Sequence, residues 1–157
     1  MVKRIREGKP IIVHGDGESL WTFTYNADFA RGFVGLFGNY QAYSEAVHIT
    51  SDESLTWNSA YRIIAEVVGR EPVLYHVASE RLIESRPDLR GPLLGDKAVS
   101  VVFDNSKIKR LVPSFRCDTR YDQGVRIAWA NILQDPSLQV EDLEFDRWCD
   151  EISNQRS

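Results

Sequence analysis

Pro10-Ile11-Ile12-Val13-His14-Gly15-Asp16-Gly17, continued by Glu18-Ser19-Leu20 into Trp21-Thr22-Phe23-Thr24-Tyr25, sets two strand-like runs on either side of a glycine turn. Ile11 to Val13 is a short β-branched run, and Trp21, Phe23 and Tyr25 alternate with Thr22 and Thr24 at the period of a half-buried strand. A glycine pair after a strand also begins a dinucleotide-binding turn. Such a turn needs a third glycine and then a helix N-terminus, whose amides and dipole hold the pyrophosphate. Here the third position is Leu20 and a strand follows. A tight turn is therefore the expected role of Gly15 and Gly17, and no cofactor-binding residue is assigned to this chain.

Working outward, Val2 and Ile5 are spaced as the last turn of a helix that stops at Gly8, with Pro10 beyond. Downstream, Asp28 is placed to cap a helix whose Phe29, Phe33 and Phe37, with Ala30 and Val34, line one face, and Gly38-Asn39 stops it. Ala46 to Thr50 reads as a strand. Thr56 caps a second helix in which Trp57, Ala60, Tyr61, Ile64 and Val68 recur at helical spacing until Gly69 and Pro72. Val73 to Val77 reads as a strand, Glu80 to Ser85 as a short helix, and Arg86 to Asp96 as a loop broken by Pro and Gly. Val99 to Phe103 is a further extended segment. Ser106 to Leu111 and Tyr121 to Leu133 read as helices, the latter closed by Pro136, and a tail over 135–157 carries Phe145, Trp148, Cys149 and Ile152 at helical spacing. Strands alternating with helices give an α/β fold class over residues 1–157 as one domain, with the tail packing on the body.

Composition narrows the function. With 157 residues and 43% hydrophobic content the chain has material for one core. A net charge of −4 argues against a nucleic-acid surface. No apolar run approaches the roughly 20 residues of a membrane span, and no secretory leader follows Met1, so a cytoplasmic location is expected. Cys117 and Cys149 stand alone, which supports neither a zinc site nor a disulfide framework.

A search for chemistry returns little. The pair that activates a phenol is a Tyr with a Lys four residues on, the cation lowering the phenol's pKa. Tyr25, Tyr40, Tyr43, Tyr61, Tyr75 and Tyr121 have Phe29, Ser44, Val47, Ala65, Ser79 and Val125 at that offset. His14, His48 and His76 fall at or in strands and form no obvious ligand set or triad. No catalytic and no metal-binding residue is assigned.

Three segments in order carry a resemblance: Gly8 to Gly17 followed by Phe23-Thr24-Tyr25-Asn26-Ala27-Asp28-Phe29-Ala30; Glu45-Ala46-Val47-His48-Ile49-Thr50 with its Thr56-capped helix; and Phe103-Asp104-Asn105-Ser106-Lys107 followed by Tyr121-Asp122-Gln123-Gly124-Val125. Together they resemble the C-terminal, substrate-side portion of NAD-dependent epimerase/dehydratases of the extended short-chain dehydrogenase type. The resemblance implies a partial Rossmann-type portion whose dinucleotide-binding half, with NAD or NADP and the Tyr/Lys pair, would precede Met1 in a longer protein. It implies a sugar or sugar-nucleotide substrate facing His14, Gly15, Gly17, Trp21, Leu93 and Lys97. Two family arginines that hold the diphosphate are replaced here, one by Trp21 and one in the segment Leu93-Leu94 before Gly95-Asp96, and neither side chain offers a guanidinium's paired donors.

Three functions follow as expectations. The first is the substrate-binding portion of such an enzyme, inactive alone. The second is a non-catalytic binding module that keeps the substrate-side fold and uses exposed apolar surface for a partner or for a homo-oligomer. The third is an unrelated hydrolase using one of the histidines.

Overall fold

The computed structural model describes residues 1–154. A one-turn helix α1 (Val2–Arg6) leads into β1 (Pro10–His14) and β2 (Leu20–Thr22), followed by α2 (Asn26–Gly35) and a 3-10 turn at Tyr40–Ala42. Then come β3 (Ser54–Thr56), α3 (Trp57–Val68), β4 (Val73–Val77) and α4 (Ser79–Ser85). A 3-10 turn at Pro87–Leu89, the single turn α5 (Arg90–Pro92) and a π-turn at Leu93–Lys97 fill what the sequence reads as loop. The chain closes with α6 (Ser106–Leu111), α7 (Tyr121–Gln134) and α8 (Leu143–Asn154). This is the expected α/β class; of the tail, residues 155–157 lie outside the described residues.

Two small sheets organise it. β1 and β4 run parallel, with Pro10 opposite Val73 and His14 opposite Val77. β2 and β3 run antiparallel, with Leu20 opposite Thr56 and Thr22 opposite Ser54. A parallel pair needs a crossover, and α3 lies within it, packing Ala65 with Ile5 and Ile11 into one apolar cluster. The other face of β4 supplies Val77 to a second cluster with Leu82, Ile83, Leu93 and Ile152, so α8 covers that side. A third cluster joins Ile49 to Ile108, Leu111, Val112 and Phe115.

Helix α3 forms as its sequence dictates. Thr56 accepts a hydrogen bond from Ser59 N, and Gly69 ends the helix in the left-handed region at φ 77°. Helix α2 departs from expectation at its cap. Its N-cap is Tyr25, and the buried carboxylate of Asp28 instead accepts a 3.0 Å bond from Thr119 N while pairing with Arg31. Its phenylalanines do not face the core. Gly32 packs against Ile49 and Phe115 and Gly35 against Val112 so closely that a Cβ at either position would collide. The backbone therefore approaches on the glycine side, and Phe29, Phe33 and Phe37 turn outward at 45%, 48% and 68% exposure.

Two expected strands make no ladder among the described residues. Ala46 to Thr50 is held instead by side chains: Asn105 Nδ2 donates to Thr50 O at 2.9 Å and Lys107 Nζ to Ala46 O at 3.0 Å. Val99 to Phe103 attaches to β2 by Val101 N to Leu20 O at 3.0 Å and by Leu20 N to Ser100 Oγ at 3.0 Å, too few bonds for a ladder. A strand needs an edge to pair with, and β propensity alone does not supply one. The strand expected over Trp21 to Tyr25 also ends early, at Thr22, where Phe23 turns its ring toward Trp57 and Tyr121.

Candidate substrate site

The end of β1, the turn after it and the π-turn before α6 converge. Gly15 and Gly17 adopt φ of 57° and 73°, the left-handed region that glycine enters at least cost. Gly15 N is anchored to Val77 O at 2.8 Å, and Gly17 O accepts from Asn58 N at 3.0 Å. A Cβ on Gly17 would overlap the Asn58 amide. The turn is thus fixed from beneath by the first turn of α3.

Asn58 is the hub of that support. Its Nδ2 donates to Asp16 O at 2.8 Å and to Glu18 Oε1 at 2.6 Å, which leaves Oδ1 to accept from His76 Nε2 at 2.8 Å. Nothing in the local sequence marks this residue, because its partners lie more than 15 positions away. Asn58 is the element of the site that sequence reasoning misses, together with the rings of Trp57 and Tyr121.

His14 ties the turn to the distant loop. Its Nε2 lies 3.0 Å from Lys97 O, and since a carbonyl only accepts, that nitrogen carries the proton. Ser19 Oγ donates to the same carbonyl at 2.7 Å, and Leu20 N donates to Ser100 Oγ at 3.0 Å. Burial holds His14 below the ordinary histidine value, assisted by the Lys97 charge and opposed by the Lys97 carbonyl. It is a neutral clamp at pH 7.

Above the clamp sits an aromatic layer. Trp21 stacks on Trp57 at 6.0 Å, and Trp57 meets His14 edge-on at 5.3 Å. The Lys97 ammonium lies 5.6 Å from the centre of the Trp21 ring and 3.0 Å from Asp96 Oδ2. His14, Gly15, Gly17, Trp21 and Lys97 are therefore brought to one place. Leu93 is not with them on the surface: it is 6% exposed in the core beneath, while Leu94 is 42% exposed.

At two phenols burial runs opposite to a proton-transfer role, pushing Tyr121 up to about 12 and raising Tyr61 as well. His14 is committed to a carbonyl, His76 to an amide, and His48 lies edge-on to Phe103 at 5.0 Å. Among the described residues no group of three or more His, Cys, Asp or Glu is arranged to hold a metal ion. The turn at Gly15 to Gly17 does not fit a pyrophosphate cradle: β2 and not a helix follows it, and Asn58 fills the space beneath Gly17.

The same arrangement of elements occurs in solved enzymes. UDP-glucuronic acid 4-epimerase from Bacillus cereus, in complex with UDP-glucuronic acid and NAD, is 21% identical with a TM-score of 0.66, over 85% of this chain and 38% of that one. The fold is that of a UDP-sugar 4-epimerase, in part. UDP-glucose 4-epimerase from Thermotoga maritima, with UDP-glucose, matches this partial epimerase fold with a TM-score of 0.60 and 19% identity, over 85% of this chain and 38% of that chain. An uncharacterized UDP-glucose epimerase of Bacillus subtilis is 27% identical over 75 residues, 48% of this chain and 24% of that protein. No family model matches the chain. The chain spans well under half the length of these relatives.

Proposed function

We propose that this chain is one domain, the substrate-side portion of an NAD-dependent epimerase/dehydratase, and that it takes a sugar or sugar-nucleotide ligand at Trp21 and Lys97. The observation that carries this reading is the clamp from His14 Nε2 and Ser19 Oγ to Lys97 O. It joins the turn after β1 to the Leu93–Lys97 loop beside an indole, in a fold shared with epimerases solved with UDP-sugars. An indole face suits the C–H face of a pyranose. Lys97 supplies one cation already paired with Asp96, which favours the sugar end of the ligand over its diphosphate. NAD or NADP and the proton-transfer groups are assigned to residues outside this chain, and the isolated chain is expected to bind without turnover. No helix of the described residues is long and apolar enough to cross a membrane; we place the protein in the cytoplasm, with no nucleic-acid partner.

Tryptophan fluorescence tests the reading. UDP-glucuronic acid or UDP-glucose should quench the wild type saturably, Trp21→Ala should lose the response, and NAD titrated calorimetrically should give no saturable heat. A wild type unresponsive to both UDP-sugars, or one that binds NAD, would overturn it. The outward phenylalanine face of α2 favours a second reading, a non-catalytic interaction module on the same fold.

A further inference from the structure

The Trp21 ring already holds an ammonium, and it is the chain's own. Lys97 Nζ lies 5.6 Å from the ring centre and 3.0 Å from Asp96 Oδ2. An indole and a carboxylate on one cation are what a receptor for an amine provides, the ring through its quadrupole and the oxygen through its charge. Trp57 stacks on the same indole at 6.0 Å, so a pyranose laid on Trp21 competes with Lys97 for the ring that remains. The Lys97 side chain is free to leave, because the loop is fixed by its backbone: Lys97 O accepts from His14 Nε2 and Ser19 Oγ.

Charge around the ring is lopsided. The turn carries Asp16 and Glu18, both exposed, and the loop carries Asp96. Asp16 Oδ1 accepts from Glu18 N at 2.9 Å and Glu18 Oε1 from the Asn58 amide at 2.6 Å. Among the described residues that these bonds and rings join, Lys97 is the one Lys or Arg. We propose that the ligand at Trp21 is a sugar bearing a free amino group, whose ammonium takes the place of Lys97 between the indole and Asp96. The proposal rests on the sugar-ligand reading above and names the class of sugar. Three kinds of ring differ in what they do to this balance. An amino sugar returns an ammonium for the one it displaces, so the indole and Asp96 both stay engaged. A neutral pyranose offers the indole only C–H groups, and Asp96 goes back to water. A uronate sets a fourth carboxylate beside Asp16, Glu18 and Asp96, and like charges in one site oppose binding.

The test compares ligands that differ only in the sugar: UDP-glucosamine, UDP-N-acetylglucosamine, UDP-glucose and UDP-glucuronic acid. Tryptophan fluorescence follows them at about pH 6.5, below the roughly 7.7–8.0 at which an α-amine loses its proton. UDP-glucosamine should bind about threefold to tenfold more tightly than UDP-glucose, the span of an exposed cation–π contact with an exposed ion pair. Acetylation should abolish that advantage, and UDP-glucuronic acid should bind most weakly. Asp96→Asn should close the gap between UDP-glucosamine and UDP-glucose, Asp96→Glu should keep it, and Lys97→Met, which removes the resident ammonium, should widen it. A wild type that binds all four alike, or UDP-glucuronic acid best, would overturn the proposal and leave the ligand site standing. A gap that survives Asp96→Asn overturns it too, and should that variant fail to fold, a gap that Lys97→Met does not widen does the same. A wild type that answers none of the four defeats the sugar-ligand reading itself, and this proposal with it.

Discussion

Gly17 shows how much of the site hangs on a single absent methyl. Its φ of 73° is accessible to other residues at a cost of about 1–2 kcal/mol, but the Asn58 amide also occupies the space a Cβ would need. Gly8, at φ 70°, has nothing near its missing Cβ and carries the backbone cost alone. Gly17→Ala should therefore lose more stability in urea than Gly8→Ala, by about 1–3 kcal/mol; equal losses would refute the close contact. The sequence shows the glycine pair and its turn, but not Asn58, because the contact is made by a chain crossing 41 positions later. The cysteines give a second expectation at this scale. Burial raises Cys117 and Cys149 to about 11 from an ordinary 9.0, so the thiolate fraction at pH 8 falls about a hundredfold. Since a thiolate of higher pKa is also more nucleophilic, thiol-reactive dye should label the native protein about tenfold more slowly than the urea-unfolded chain, and equal rates would contradict the burial.

At the scale of elements, what the sequence makes legible is whatever local chemistry closes by itself. Thr56 and Gly69 bracket α3 as its capping signals require, and β1 and β4 fall where their β-branched runs place them. Thr56→Ala removes the bond from Ser59 N and the hydroxyl contact to Ser59 Oγ at 3.0 Å. A loss of about 1 kcal/mol by thermal or urea unfolding is expected, with Thr56→Ser retaining most of it. Elements whose form depends on a neighbour are read less well. The phenylalanine periodicity of α2 is real, yet it marks the face turned outward, because glycine contacts, invisible to a hydrophobic pattern, decide which side approaches the core. Ala46 to Thr50 has strand composition and no strand edge, so its carbonyls go to Asn105 and Lys107. Of the site, the turn and Lys97 were legible from their resemblance to a known family, whereas Leu93, on the same loop, points into the core at a π-turn that no local signal announces.

The whole molecule is closed by a contact between its two ends. Arg4 on α1, 1% exposed, donates to Pro10 O at 2.8 Å and reaches Asp146 Oδ1 at 2.6 Å and Asp150 Oδ1 at 2.8 Å, both on α8. Lys9 adds a 3.3 Å pair to Asp146. The two sides of this lock are unequal in burial: the Arg4 side chain is 2% exposed, those of Asp146 and Asp150 18% and 41%. Removing the Asp146 side chain takes away the shortest pair of a buried cation but leaves it Asp150 and the Pro10 and Asp146 carbonyls, so the loss should fall below the about 3–5 kcal/mol of a fully broken buried pair. Removing Arg4 leaves two carboxylates that still reach water, a smaller loss. Asp146→Ala should therefore destabilise more than Arg4→Met, and the reverse order would show that apolar packing of the arginine stem, not charge, holds α8. The pH dependence follows from the sign of the shift. The Arg4 hydrogen bond holds Asp146 below the ordinary carboxylate value of 3.8, so the folded state binds its proton less readily than the unfolded one. Its contribution is complete above that value and fades as pH falls through the lower folded-state pKa. The stability gap between wild type and Arg4→Met should accordingly stay flat above about pH 5 and narrow below 3.8, as followed by urea unfolding at stepped pH.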